Sequence, residues 1–126
     1  MYMKKFLSII WQLPQCLLGR VLKCIYKPHI TNEYKGITVV YSDKMHGGIS
    51  LGDIIILSAN YGTRVGNTLL HEYGHTRQSL YLGWLYLIII GLPSLLWAAF
   101  YNGPELGYYK FYTEKWADKL GNVIRK

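Results

Sequence analysis

The stretch GNTLLHEYGHTRQSLYLG, residues 66–83, places His71, Glu72 and His75 inside a run that otherwise has the pattern of an amphipathic helix. Asn67 or Thr68 can cap its start, the helix is expected to run to about Leu82, and Gly83 can end it. Residues i and i+4 of a helix project from one face, one turn apart. The His71 and His75 imidazoles can therefore converge on one ion. Glu72 projects to the side, within reach of a water on that ion without ligating it. Zinc suits such a place, because a catalytic zinc needs about three protein ligands and one open position. Water held there loses a proton near neutral pH. Glu72 would accept that proton and later deliver it to the leaving amine.

A third ligand must come from elsewhere. His29 and His46 are available, but both lie in turn-like connectors upstream. The stretch TEKWAD, residues 113–118, offers a better one. Glu114 and Asp118 are i and i+4, so one helical face presents both carboxylates. Glu114 can ligate the ion. Asp118 can accept the other ring N–H of a ligating histidine, with His71 the candidate, and so fix its tautomer. The plainer alternative is a wet surface on which Glu114 pairs with Lys110 or Lys115; HEYGH upstream tips the balance toward a ligand.

HEYGH followed by a downstream helix with Glu114-Lys-Trp-Ala-Asp118 resembles the zincin metallopeptidases of the gluzincin type. The resemblance implies that His71, His75 and Glu114 bind one zinc ion, that Glu72 is the catalytic base and that Asp118 orients a histidine. The longer stretch HEYGHTRQSLYLGWLYLIIIGLPS also resembles small bacterial metallopeptidase-like proteins, including C-terminal domains of polymorphic toxins. The chain departs from the gluzincin pattern in the long, apolar spacer between His75 and Glu114 and in lacking large flanking domains. The residue that would stabilise an oxyanion is not marked; Tyr108, Tyr109, Tyr112 and Arg77 are the candidates.

Around this centre, KGITVVYSDK, residues 35–44, reads as a strand and ISLGDIIILS, residues 49–58, as a second, paired as a hairpin or as neighbours. His46-Gly47-Gly48 is turn chemistry and residues 60–67 a loop. Residues 28–36 read as a connector. Residues 107–123 read as the third-ligand helix. Residues 15–27 have helical period, with Leu17, Leu18, Val21, Leu22 and Ile25 on one face and Arg20, Lys23 and Lys27 on the other. Two readings stay open for that helix: it packs on the domain, or it lies on a membrane as a basic amphipathic helix. The expected fold is α+β, a minimal zincin-like single domain over residues 1–126. It combines a basic N-terminal helical segment (1–27), a short antiparallel hairpin or small sheet with the HExxH helix (35–82), an apolar helical hairpin (84–101) and the glutamate helix (107–123).

Composition points to a bounding surface that is not water alone. The chain is 51% hydrophobic and 17% charged, with a net charge of +7, which is apolar for a soluble domain. The N-terminal basic residues alternate with Leu, Ile, Val and Trp, which favours lipid over nucleic acid, and no nucleic-acid motif is present. The start, MYMKKFLSIIWQLPQCLLGR, imitates a signal peptide but is followed by no small-x-small cleavage site. Cys16 and Cys24 sit two turns apart on one helix, too far for a disulfide.

Residues 84–101 are flanked by aromatics as a membrane span would be. A single crossing would put His71 and His75 on one side and Glu114 on the other. A hairpin bent at Gly91-Leu92-Pro93 would have arms of about 12 Å, too short for a core of about 30 Å. The segment is therefore expected to dip into one leaflet, lie along the interface, or pack under the site. Together these features give the expected function: a zinc-dependent metallopeptidase acting on a peptide or protein substrate, membrane-associated (inner membrane or interfacial) rather than free in the cytoplasm. The alternative is a non-catalytic membrane-associated or toxin-like interaction protein with a structural or vestigial metal site. Oligomeric state is not encoded.

Overall fold

β-Branched residues fill ITVVYS and IIILS, and these become the two central strands of a mixed four-stranded sheet. The computed structural model describes residues 2–28, 30–45, 48–59 and 67–123. The strands are β1 (Ile30–Tyr34), β2 (Ile37–Ser42), β3 (Gly48–Leu51) and β4 (Ile54–Ser58), in the order β1-β2-β4-β3. β2 and β4 run parallel, and the outer pairs are antiparallel.

The sheet departs from the sequence expectation in three ways. The connector over 28–36 contains β1, joined to β2 by a two-residue turn, Lys35-Gly36, in which both residues have positive φ. The long strand over 49–58 is two strands, folded back at Gly52-Asp53 so that Leu51 pairs with Ile54. Gly52 has φ +65°, and a Cβ there would lie 2.5 Å from Cys16 Sγ. The paired strands are neighbours, but parallel, because β4 inserts between β2 and β3. The proposed turn at His46-Gly47 and the loop over 60–66 lie outside the described residues, as do His29 and His46.

Two layers of helix cover the sheet. Val39, Tyr41, Ile55 and Leu57 pack with Leu69 of α3 (Asn67–Leu82). On the other face, Val40, Met45, Ile54 and Ile56 meet Leu22 and Tyr26 of α2 (Leu13–Tyr26). β4 is buried on both faces along its whole length, as a central strand between two layers must be. Before α2 comes α1 (Tyr2–Trp11).

α2 packs through little of its apolar stripe, with Leu22 alone of the stripe's five residues against the core. Gln15, Cys16 and Gly19 are its buried residues, whereas Leu17, Leu18, Val21 and Ile25 are exposed. Its two cysteines are free, Cys16 buried and Cys24 exposed. Burial, reinforced by the Asp53 charge, pushes the Cys16 thiol up to about 11, so Cys16 is an inert filler rather than a nucleophile.

α3 ends where Gly83 takes φ +56°, and a Cβ there would fall 2.4 Å from Trp11 Cε2. A 3₁₀ turn (Gly83–Leu85) leads to a 120° bend, then a π-helical turn (Leu87–Gly91) and α4 (Leu92–Phe100). The bend thus falls before Leu87 and not at Gly91-Leu92-Pro93, so the expected apolar hairpin is replaced by a corner. Pro93 has no N–H to give to the Ile89 carbonyl four residues back; the Tyr112 hydroxyl donates to it instead at 2.8 Å. Among the described residues no single helix is long and apolar enough to cross a membrane.

The expected helix over 107–123 is broken. A short α5 (Glu105–Tyr108) precedes α6 (Tyr112–Gly121), with Phe111 extended between them and stacked on Trp97. α6 lies against α3 at a distance set by glycine. A Cβ on Gly74 would be 1.8 Å from the Ala117 carbonyl oxygen, and one on Gly121 would be 1.9 Å from that of Leu70. These two reciprocal contacts let the helix backbones touch.

Candidate metal centre

α3 buries polar residues: His71, Glu72, His75, Thr76, Gln78 and Ser79 all lie inside. The close approach of α6 brings Glu114 among them, only 1% exposed. His71 Nε2 lies 3.0 Å and His75 Nε2 3.1 Å from the same atom, Glu114 Oε1. One donor atom from each of the three residues lies within 4.8 Å of the others, a group that could hold a metal ion. Ligand atoms placed 2.0–2.1 Å from a tetrahedral ion are about 3.3 Å apart, close to the two His–Glu114 separations, 3.0 and 3.1 Å.

The other ring nitrogens determine what faces inward. Gln78 donates its amide Nε2–H to the Thr113 carbonyl at 2.9 Å, which turns its Oε1 toward His75 Nδ1 at 2.7 Å. An amide oxygen only accepts, so His75 Nδ1 carries a proton. His71 Nδ1 stands 2.6 Å from the Asp118 carboxylate and carries one too. A neutral imidazole then presents a bare lone pair at Nε2. The two Nε2 atoms and a carboxylate oxygen converge on one point; in the metal-free protein hydrogen bonds join the Nε2 atoms to Glu114 Oε1, and a cation would take the place of the protons. Glu114 is arranged for the same purpose. Its Oε2 accepts from Ser94 Oγ at 2.6 Å and from the Thr113 hydroxyl, leaving Oε1 to the histidines.

The charges follow from these contacts. Burial opposes ionisation of Glu114, but the hydrogen bonds from His71 and His75, the His75 charge and the Ser94 hydroxyl hold it well below the usual carboxylate range. Burial also opposes a charged His71; hydrogen bonds to Asp118 and Glu114 and the Glu72 charge outweigh it and raise the group to about 9. A raised folded-state pKa gives stability that is fully present below the unfolded value of 6.5 and lost as pH rises through about 9. Chelator-treated protein should therefore lose melting temperature between pH 6.5 and 9. Metal requires the neutral imidazole, so melting of the metal-loaded protein should not fall over that range. Parallel slopes with and without chelator would contradict this.

Glu72 is 7% exposed. Burial raises its carboxyl above the ordinary value, only partly countered by the His75 and His71 charges. Its chain runs beside the start of β3: a Cβ on Gly48 would be 3.0 Å from Glu72 Cγ and 3.2 Å from Oε2. The structure thus gathers His71, His75, Glu114, Glu72 and Asp118 at one place.

The oxyanion candidates separate. Tyr112 is committed to the Ile89 carbonyl, and Arg77 lies over the Tyr81 ring. Tyr109 packs edge-on against His71, with ring centres 5.1 Å apart. Burial and the Glu114 and Glu72 charges raise the Tyr108 phenol. Burial and the same two carboxylates also raise Tyr86, a buried residue at the bend after α3 that the sequence does not mark. Gln78 and Ser94 were equally unmarked. Gln78 alone carried a hint, being one turn after His75. Gln78→Met removes the acceptor that orients His75, and metal affinity should fall by about 10–100-fold in a chelator competition. An unchanged affinity would show that Gln78 does not orient the ring.

No family model, no curated protein and no solved structure matches the chain.

Proposed function

We propose that the protein is a zinc-dependent peptidase, with His71, His75 and Glu114 as ligands and Glu72 as general base. One observation carries the reading: both Nδ1 atoms are committed to acceptors, so both Nε2 atoms face Glu114 Oε1 and, once each ring is neutral, have a lone pair to offer an ion. Two imidazoles and one carboxylate are a donor set that suits catalytic zinc, since three protein ligands leave a fourth tetrahedral position. Zinc held there would polarise a peptide carbonyl and lower the pKa of water.

The chain's own groups do the rest. Asp118 and Gln78 hold the two rings in the ligating tautomer. Ser94 and Thr113 hold the Glu114 carboxylate so that one oxygen faces the histidines. Glu72, with its pKa raised by burial, takes a proton from water and returns it to the leaving amine. The Tyr86 and Tyr108 phenols keep their protons in the field of both carboxylates and are the groups suited to donate to a developing oxyanion. β3 ends the sheet, and its first residue, Gly48, stands against Glu72. An extended peptide added to that edge would pass the base with its backbone hydrogen-bonded.

Metal analysis tests this. Wild type should carry about one equivalent of zinc, and His71→Ala and Glu114→Ala should each carry far less. Zinc-free wild type after growth in zinc-replete medium, or a Glu114→Ala protein with wild-type content, would remove the proposal.

A further inference from the structure

We propose that the outward faces of α1, α2 and residues 84–100 form a docking surface for an anionic lipid bilayer. Apart from Leu22 and Tyr26, which meet the sheet, these elements are built the reverse of a helix on a soluble domain, which turns its apolar stripe to the core. Polar side chains face inward. Gln12 Nε2 donates to Ser8 Oγ at 2.8 Å, the Ser79 hydroxyl donates to Gln12 Oε1, and Gln15 Nε2 donates to Ser79 Oγ and to the Gly83 carbonyl, both at 2.8 Å. Gln12, Gln15 and Ser79 are at most 2% exposed. Leu17, Leu18, Val21 and Ile25 of α2 face outward, as do Phe6, Leu7 and Ile10 of α1. Polar groups bonded between helices, with apolar side chains outside, is how helices are arranged against lipid.

Residues 84–100 continue the surface. No residue of α4 is buried, although its sequence, LPSLLWAAF, is apolar but for one serine. Ile88, at 67% exposed, and Leu95, at 61%, stand free in the chain alone. The elements meet at Gly83. Trp11 covers that glycine and donates its indole N–H to the Leu80 carbonyl at 2.7 Å, and Trp84 donates to the Ile10 carbonyl at 2.8 Å. Both rings remain about half exposed, at 51% and 56%, an amphipathic placement suited to a lipid–water boundary.

Charge selects the occupant. Residues 2–27 contain Lys4, Lys5, Lys23 and Lys27 and no acid, besides Arg20, which is paired with Asp53 at 3.1 Å. A second copy docked on this face would bring like charges together, whereas anionic headgroups would meet basic residues beside an apolar stripe. Nothing in this surface depends on the metal reading, and neither falls with the other.

Flotation with vesicles decides it. The full chain should float with phosphatidylcholine vesicles containing about one quarter phosphatidylglycerol and bind pure phosphatidylcholine several-fold more weakly. Val21→Glu and Leu95→Glu, on separate elements and both at exposed positions, should each reduce flotation by about tenfold while far-UV circular dichroism stays native. Brominated lipid should quench wild-type tryptophan fluorescence through Trp11 and Trp84. Wild type that stays at the bottom of the gradient, variants that float like wild type, or fluorescence untouched by brominated lipid would overturn the proposal. So would a lipid-free dimer that the same substitutions dissociate.

Discussion

Glu72→Gln should lose peptide hydrolysis by about 10²–10⁴-fold or more while retaining the metal content of wild type. The substitution keeps the shape that packs against Gly48 and removes only the group that can take a proton. Glu72 does not lie among the three converging donors, so the ion should stay. Burial makes the charged carboxylate unfavourable at this position, so the neutral amide should leave the fold as stable as before, or more so, at neutral pH. A loss of activity with a stable, metal-loaded protein is hard to obtain except by removing a base. Two outcomes would count against the peptidase: equal hydrolysis by wild type and variant, or no hydrolysis of any peptide by metal-loaded wild type. The second would leave a metal-holding protein without this chemistry.

The other large effect is expected at a residue without a functional group. Gly74→Ala places a methyl 1.8 Å from the Ala117 carbonyl oxygen, a backbone atom in the middle of α6. No rotamer relieves that contact, so α6 must move away from α3. The cost is about 3 kcal/mol or more, at the upper end for overpacked sites. An exposed helical glycine would behave oppositely, since alanine favours a helix by about 1 kcal/mol. The sign of the change therefore tests the packing. Glu114 and Asp118 ride on α6, so the same displacement should pull them from the histidines and reduce bound zinc. Denaturant midpoints and metal content should fall together. A Gly74→Ala protein as stable and as well loaded as wild type would mean that the helices do not approach this closely.

The parts of the site that could be read beforehand are those whose geometry is local. His71 and His75 share a face because they are four residues apart on one helix, and Glu114 and Asp118 do so for the same reason. Gln78, Ser94 and Tyr86 were not readable as site residues, because each acts through a contact between elements. Gln78 needs the Thr113 carbonyl of α6 to turn its amide, and Ser94 needs the corner after α3 to reach Glu114. In the sheet, β1 has no buried face to create an alternating pattern. β4 is buried on both sides, so nothing but Gly52-Asp53 separates it from β3. Proline disrupts a helix, which points to a bend at Gly91-Leu92-Pro93. It lies before Leu87 instead, and the carbonyl that proline strands is satisfied by Tyr112.

The sequence by itself determined the helical spacing of the donors, the strand character of ITVVYS and IIILS and the presence of more apolar side chains than so small a chain can bury. Only the tertiary structure decided that Glu114 meets both histidines, and that most of the stripe on α2 turns away from the sheet. Spacing along a helix fixes direction within that helix alone. Distance between helices is set by what lies between them, here two glycines that let α3 and α6 touch and a chain of glutamines and serines that occupies the inside in place of leucines.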